Sequence, residues 1–144
     1  MVSEADYRVP LETGGILLGA WRSDREVLIT TAVGPGPRAV HTDTNFDPDY
    51  AYHEKVAVEH WRSTAQAEYY LGDWHTHPSG GAYLSPKDRK ALQHIDRMGN
   101  LCGPALMVVL GNGRQWQLLV WAQPKTMLGS LFRMPTRCAL VVTR

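Results

Sequence analysis

The stretch Tyr70–Asp88, YLGDWHTHPSGGAYLSPKD, gathers the residue types that do chemistry: two histidines one residue apart, then a serine and an aspartate beyond a Pro/Gly-rich segment. In an extended strand alternate side chains share a face, so His75 and His77 point one way and Trp74 and Thr76 the other. Two imidazoles on one side of a strand can share a metal ion. Pro78, Ser79, Gly80 and Gly81 end the strand, because proline cannot continue a ladder and glycine supplies turn conformations. Ser85-Pro86-Lys87-Asp88 then opens a helix, with an N-cap hydroxyl, proline in the first helical position and an acid three residues after the cap. Asp88 therefore sits in a first helical turn that the loop can fold back toward the histidines. Two histidines and one aspartate leave the fourth tetrahedral position of a zinc ion open, which is how a catalytic zinc site is built. Read alone, Ser85 and Asp88 are simply a capping box, and an isolated His-x-His is two ordinary histidines.

A metal hydrolase also needs a proton carrier, since the attacking water must lose a proton and the leaving amine must gain one. Glu12 is the candidate. It precedes the apolar run Ile16–Trp21, which reads as a buried strand able to neighbour the histidine strand, and burial there would raise its pKa. Its plain alternative is a solvated charge at a strand end.

The elements that must position these residues follow in order. Ile16–Trp21 and the β-branched run Glu26–Val33 predict a hairpin, closed by Gly34-Pro35-Gly36-Pro37 after a short polar start to the chain. Asp47-Pro48 opens a helix over about 48 to 65, with Ala57, Val58, Trp61 and Ala65 on its inward face. The histidine strand starts at about Glu68. A second helix runs from Pro86 to about Met98, with Ala91, Leu92, Ile95 and Met98 inward and Gly99-Asn100 as its stop. Leu106–Leu110 and Trp116–Trp121 are strands joined at Gly111-Asn112-Gly113, and Cys138–Thr143 is an edge strand. The pattern is α+β: a central mixed or mostly antiparallel sheet flanked by helices. Trp21, Trp61, Trp116 and Trp121 are expected in the core or on a sheet face, and Trp74 beneath the site. His41, His53, His60 and His94 lack such a context and are read as surface residues.

At 144 residues the chain is sized for one domain, 1–144. Its net charge of +1 and 20% charged residues give no general case for nucleic acid or membrane binding. Cys102 and Cys138 are far apart and in no metal-ligand spacing, which argues for a reducing, cytoplasmic setting. Neither a signal sequence nor an apolar run near the roughly 20 residues of a membrane span is evident.

ETGGILLG from Glu12, then HTHP, then S-x-x-D beginning eight positions after His77, resembles the JAMM (MPN-plus) zinc metalloprotease family over residues 12 to 121. The resemblance implies that His75, His77 and Asp88 hold zinc, Glu12 activates the zinc water and Ser85 supports the oxyanion. It implies a JAMM/cytidine-deaminase-like fold, and cleavage of isopeptide or peptide bonds after the C-terminal Gly-Gly of ubiquitin-like or sulfur-carrier proteins. FDPD and YLGDWHTHP are similar to bacterial members encoded beside E1-like and E2-like enzymes, which are thereby implied as partners of the same operon. Family domains place a strand and a helix before the glutamate; only eleven residues precede Glu12, so these elements are either shortened or lie in sequence absent from this chain, a departure that bears on the support of Glu12 more than on the zinc site.

Two other functions compete. An MPN-type domain lacking ligands is an interaction scaffold, but all five positions are present here. HxHPSG also resembles RadC-like proteins, against which ETGGILLG and the near-neutral charge argue, since DNA binding needs a basic patch. The short segments Pro78–Leu84 and Met98–Leu106 leave no long insertion to wrap a folded modifier. Recognition is thus expected to centre on an extended tail, added as a strand beside the site.

Overall fold

The computed structural model describes residues 1–98, 102–113, 115–124 and 134–141. Among them a six-stranded sheet runs in the order β2-β1-β5-β6-β7-β8, formed by β1 (Gly14–Ser23), β2 (Glu26–Val33), β5 (Tyr69–His77), β6 (Leu106–Gly111), β7 (Gln117–Ala122) and β8 (Thr136–Cys138). A small separate hairpin pairs β3 (Val40–His41) with β4 (Phe46–Asp47). The helices are α1 (Val2–Arg8), α2 (Tyr50–Ser63) and α3 (Pro86–Arg97). Every neighbouring pair in the sheet is antiparallel except β5 and β6, whose parallel pairing is made possible by the crossover through α3. This is the α+β single domain expected of the sequence.

The alternation of apolar residues assigns the two faces of the sheet. Leu17, Leu106, Val108 and Leu110 join Leu71 and Trp74 on one face, with Ala5 of α1 packed among them. Ile16, Leu18 and Val33 face α2, and Met107 and Val109 face Leu92 and Ile95 of α3. In β5 the even and odd positions change sides at a bulge. Leu17 pairs with Gly72 but Leu18 pairs with Tyr70, so Leu71 is an extra residue in that strand. Downstream of it Trp74 lies in the core, 1% exposed, and its indole donates to the Val33 carbonyl at 2.8 Å. Asp73, His75 and His77 then fall on the opposite face, toward α2 and α3. Gly14 and Gly15 let β1 run this close: a Cβ on Gly14 would meet the Trp74 carbonyl and the Phe46 ring, and one on Gly15 the Val33 carbonyl.

Several expectations are corrected. The polar start folds as α1, a helix of seven residues that is too short to be stable alone and is held by burial of Ala5 and by a Trp116 indole bond to Asp6. The inward stripe of α2 is His53, Val56, Ala57 and His60; Val58 and Trp61 are exposed, and Ala65 lies beyond the helix at φ 51°. His53 is buried because its Nε2–H donates to the Gly34 carbonyl at 2.8 Å, and His60 is paired with Glu68 at 2.7 Å. Neither is a surface histidine, and counting only apolar side chains therefore rotates the helix. His94 is exposed as expected. In α3 the buried positions are Asp88, Leu92 and Ile95, while Ala91 and Met98 face outward. The edge strand is Thr136–Cys138, earlier than expected, and Ala139 to Val141 lie outside it. Gly99-Asn100 and residues 142 and 143 lie outside the described residues. The β6–β7 hairpin turns where Gly111-Asn112-Gly113 placed it, with Asn112 at φ 62°.

Candidate metal centre

The site lies at the C-terminal end of the parallel pair, where His75 is in register with Gly14 on one side and Val109 on the other, and His77 with Gly111. The Nε2 atoms of His75 and His77 are 3.1 Å apart. Asp88 Oδ1 is 3.3 Å from His75 Nε2, and its Oδ2 is 3.4 Å from His77 Nε2. One ligand-capable atom from each of the three lies within 4.8 Å of the others, the one such cluster of histidines, cysteines and acids among the described residues.

Local structure accounts for this convergence. Pro78 to Ala82 folds back on the β6–β7 turn, whose amides donate to its carbonyls: Asn112 N–H to Gly80 at 2.7 Å and Gly113 N–H to Pro78 at 3.1 Å. The Gly81 carbonyl thereby reaches His77 Nδ1 at 3.2 Å. Because a carbonyl only accepts, Nδ1 carries a proton, and Nε2 is the nitrogen that faces the cluster. At the other end of the loop Ser85 Oγ accepts from Asp88 N–H at 3.2 Å, and Asp88 Oδ2 accepts from Ser85 N–H at 2.7 Å. The reciprocal capping box is present, and Asp88 belongs to it and to the cluster at once.

The charges are coupled. Burial alone would raise the Asp88 carboxyl, but hydrogen bonds to His75 and His77 outweigh it and hold the group well below the usual carboxylate range. The Asp88 contact in turn raises His77, against burial, which lowers it. Burial raises the Glu12 carboxyl, opposed by His77, His75 and Lys87. Glu12 thus lies in the electrostatic field of the cluster although it comes from the other end of the chain.

The Glu12 backbone is held on both sides. Its N–H donates to the Thr42 carbonyl at 2.7 Å, and its own carbonyl accepts from His41 Nδ1 at 2.9 Å. The next residue, Thr13, donates to Thr76 Oγ1 at 2.9 Å and accepts from Thr76 N–H at 2.8 Å. His41, expected at the surface, is bound to the main chain of Glu12 instead, and nothing local in the sequence marks that pairing. Nor does it mark the half-buried Asp73, on the same face of β5 as the histidines, whose Oδ1 accepts from the Tyr70 hydroxyl at 2.7 Å. Burial raises this carboxyl.

Known proteins share this architecture and sequence. Residues 1–120 match the family described as prokaryotic homologs of the JAB domain. The probable metalloprotease y4qB of Sinorhizobium fredii is 31% identical, over 99% of this chain and 90% of that protein. A protein named CD-NTase/cGAS isopeptidase from Pseudomonas aeruginosa is 29% identical, over 84% of this chain and 74% of its own length. A protein of Desulfitobacterium hafniense, solved in solution, has the same fold with a TM-score of 0.53 at 18% identity, covering 87% of this chain and 78% of that one. The chain belongs to the family of prokaryotic JAB-domain homologs and is a peptidase of the JAMM type.

Proposed function

We propose that the chain is a zinc-dependent isopeptidase or peptidase that cuts after a Gly-Gly-like C-terminus of a ubiquitin-like or sulfur-carrier protein. The observation that carries this reading is the meeting of His75, His77 and Asp88 within the field of the Glu12 carboxyl. The donor set fits zinc. The two Nε2 atoms, 3.1 Å apart, are close to the edge of a tetrahedron with bonds of about 2.0 Å, roughly 3.3 Å, and each imidazole has one oxygen of the Asp88 carboxylate within 3.4 Å. The Gly81 carbonyl holds His77 Nδ1–H, so Nε2 is the nitrogen turned to the metal position, and Asp88 is held ionised. When bound, zinc supplies Lewis acidity toward a carbonyl and an open position for water.

The residues around it divide the remaining work. Glu12, its carboxyl raised by burial, takes a proton from the attacking water and returns it to the leaving nitrogen. Ser85 Oγ accepts from the Asp88 amide and so keeps its own hydrogen free to donate to the carbonyl oxygen as charge develops there. Relatives named as isopeptidases support a protein substrate joined through an amide. With only short loops around the site, an extended tail read near the metal is the natural substrate feature, and glycine the residue that passes. E1-like and E2-like enzymes are the implied partners. Cys102 and Cys138 are both unpaired, in keeping with the cytoplasm, and among the described residues no helix is long and apolar enough to cross a membrane.

The test is a zinc-loaded preparation given a linear fusion to a ubiquitin-like protein ending in Gly-Gly. Cleavage after the second glycine, lost with chelator, restored by zinc and reduced about 10² to 10⁴-fold in Glu12→Gln, is the expected result. Equal cleavage when leucine replaces the last glycine would remove the tail from the reading.

A further inference from the structure

We propose that His41 is a positioning residue for Glu12: its Nδ1–H fixes the Glu12 carbonyl and so aims the Glu12 side chain at the metal cluster. The inference rests on the reading of Glu12 as the proton carrier. It starts from how a side chain is aimed, since the direction of a Cα–Cβ bond follows from the two peptide planes that flank it. At Glu12 those planes are set by three bonds, Glu12 N–H to Thr42, Glu12 carbonyl from His41 and Thr13 N–H to Thr76 Oγ1, and the Thr13 carbonyl, accepting from Thr76 N–H, fixes the next peptide. The two from Thr76 belong to β5, the strand that carries both histidines. The two on Glu12 itself come from the β3–β4 hairpin, and of these only the His41 bond is made by a side chain.

Three further observations show that His41 is there for that bond. The other ring nitrogen, Nε2, is buried and among the described residues has no hydrogen-bond partner. A residue kept for packing alone would not desolvate a nitrogen, because an aromatic hydrocarbon would fill the space without that cost. The ring packs on Phe46 with centroids 5.3 Å apart, and a Cβ on Gly14 would meet Phe46 at 2.8 Å, so the ring that His41 leans on is itself seated against the start of β1. The hairpin itself is tied to the metal side of the site, since Lys87, adjacent to Asp88, donates from Nζ to Asn45 Oδ1. His41 thus couples the peptide of Glu12 to an element braced against the helix that supplies Asp88.

The test compares variants of the full zinc-loaded chain on a fluorogenic peptide amide ending in Gly-Gly, with zinc content and amide hydrogen exchange measured beside turnover. His41→Phe keeps the stack on Phe46 and loses the donor. It is expected to lower kcat by about 10 to 10²-fold with KM within about twofold, as misplacement of a reacting group does. It should retain the zinc content of the parent and speed hydrogen exchange at the Glu12 amide. His41→Asn, whose amide presents an N–H where Nδ1 stands, should recover most of kcat, and the isosteric His41→Asp, with no donor when ionised, should not. Parental kcat in His41→Phe, or equal kcat in the Asn and Asp variants, overturns the proposal. The Asn and Asp pair decides it if His41→Phe does not fold. Full turnover by Glu12→Gln would instead overturn the role of Glu12 on which the proposal stands.

Discussion

The Gly81 carbonyl accepts the Nδ1–H of His77 at 3.2 Å, and the loop that carries it rests directly on Gly111. A Cβ at position 111 would run into the Ala82 nitrogen and the Gly81 carbonyl carbon, both backbone atoms with no rotamer to escape into. Gly111→Ala is therefore expected to push the loop off the β6–β7 turn and take from His77 Nδ1–H the carbonyl that orients the ring. Overpacking of this kind costs about 1 to 3 kcal/mol, and loss of an outer hydrogen bond to a ligand weakens metal binding roughly 10 to 100-fold. Competition for zinc against a coloured chelator measures the second effect, and urea unfolding of the metal-free protein the first.

Zinc should bind once per chain and stabilise the fold. The candidate ligands come from β5 and from the first turn of α3, so binding there would favour the folded state by about 2.7 kcal/mol when free zinc is 100 times the dissociation constant. His75→Ala should bind no stoichiometric zinc and show no thermal shift on its addition. A full complement of zinc in that variant would take His75 out of the site.

Ser85→Ala separates the two uses of one hydroxyl. Losing the acceptor for Asp88 N–H should lower stability by about 1 kcal/mol. Turnover should fall too, though less than in Glu12→Gln, while zinc content stays. Unchanged turnover with the stability loss present would leave Ser85 a cap and nothing more.

Away from the metal, Glu68 gives the chain an acid sensitivity whose sign is fixed. Hydrogen bonds from Thr30 and His60 lower this carboxyl below its ordinary 4.5. A depressed acid stabilises the fold above its unfolded pKa and loses that contribution as pH falls through the folded one. Glu68→Gln should therefore be less stable than the parent near neutrality, with the difference shrinking below about pH 4.5. Urea midpoints between pH 3 and 7 test this, and a constant difference across that range would rule it out.

The zinc-ligand candidates were legible because they are local. A period of two put His75 and His77 on one face, and a capping signature placed Asp88 in a first turn, so both rules act within a few residues. The β1–β2 hairpin and the β6–β7 turn were legible for the same reason. What the sequence hid depends on distant partners. His53 and His60 face inward because Gly34 and Glu68 wait for them, which no periodicity of apolar residues reveals. The seven residues of α1 form a helix only against the sheet. His41 is joined to Glu12 across 29 positions by one bond to a main-chain oxygen.

The bulge at Leu71 makes the centre sensitive to a kind of change that substitution cannot mimic. Tyr70 and Asp73 share a face only because the strand carries one residue more than its neighbour there. Removing that residue would set the upstream half of β5 against the downstream half, and one of them would have to turn over. Either the histidines would enter the core and Trp74 the cleft, or Tyr70 would part from Asp73 and Leu18. Deleting one residue at this point of the strand is accordingly expected to cost more than substituting any side chain beside it.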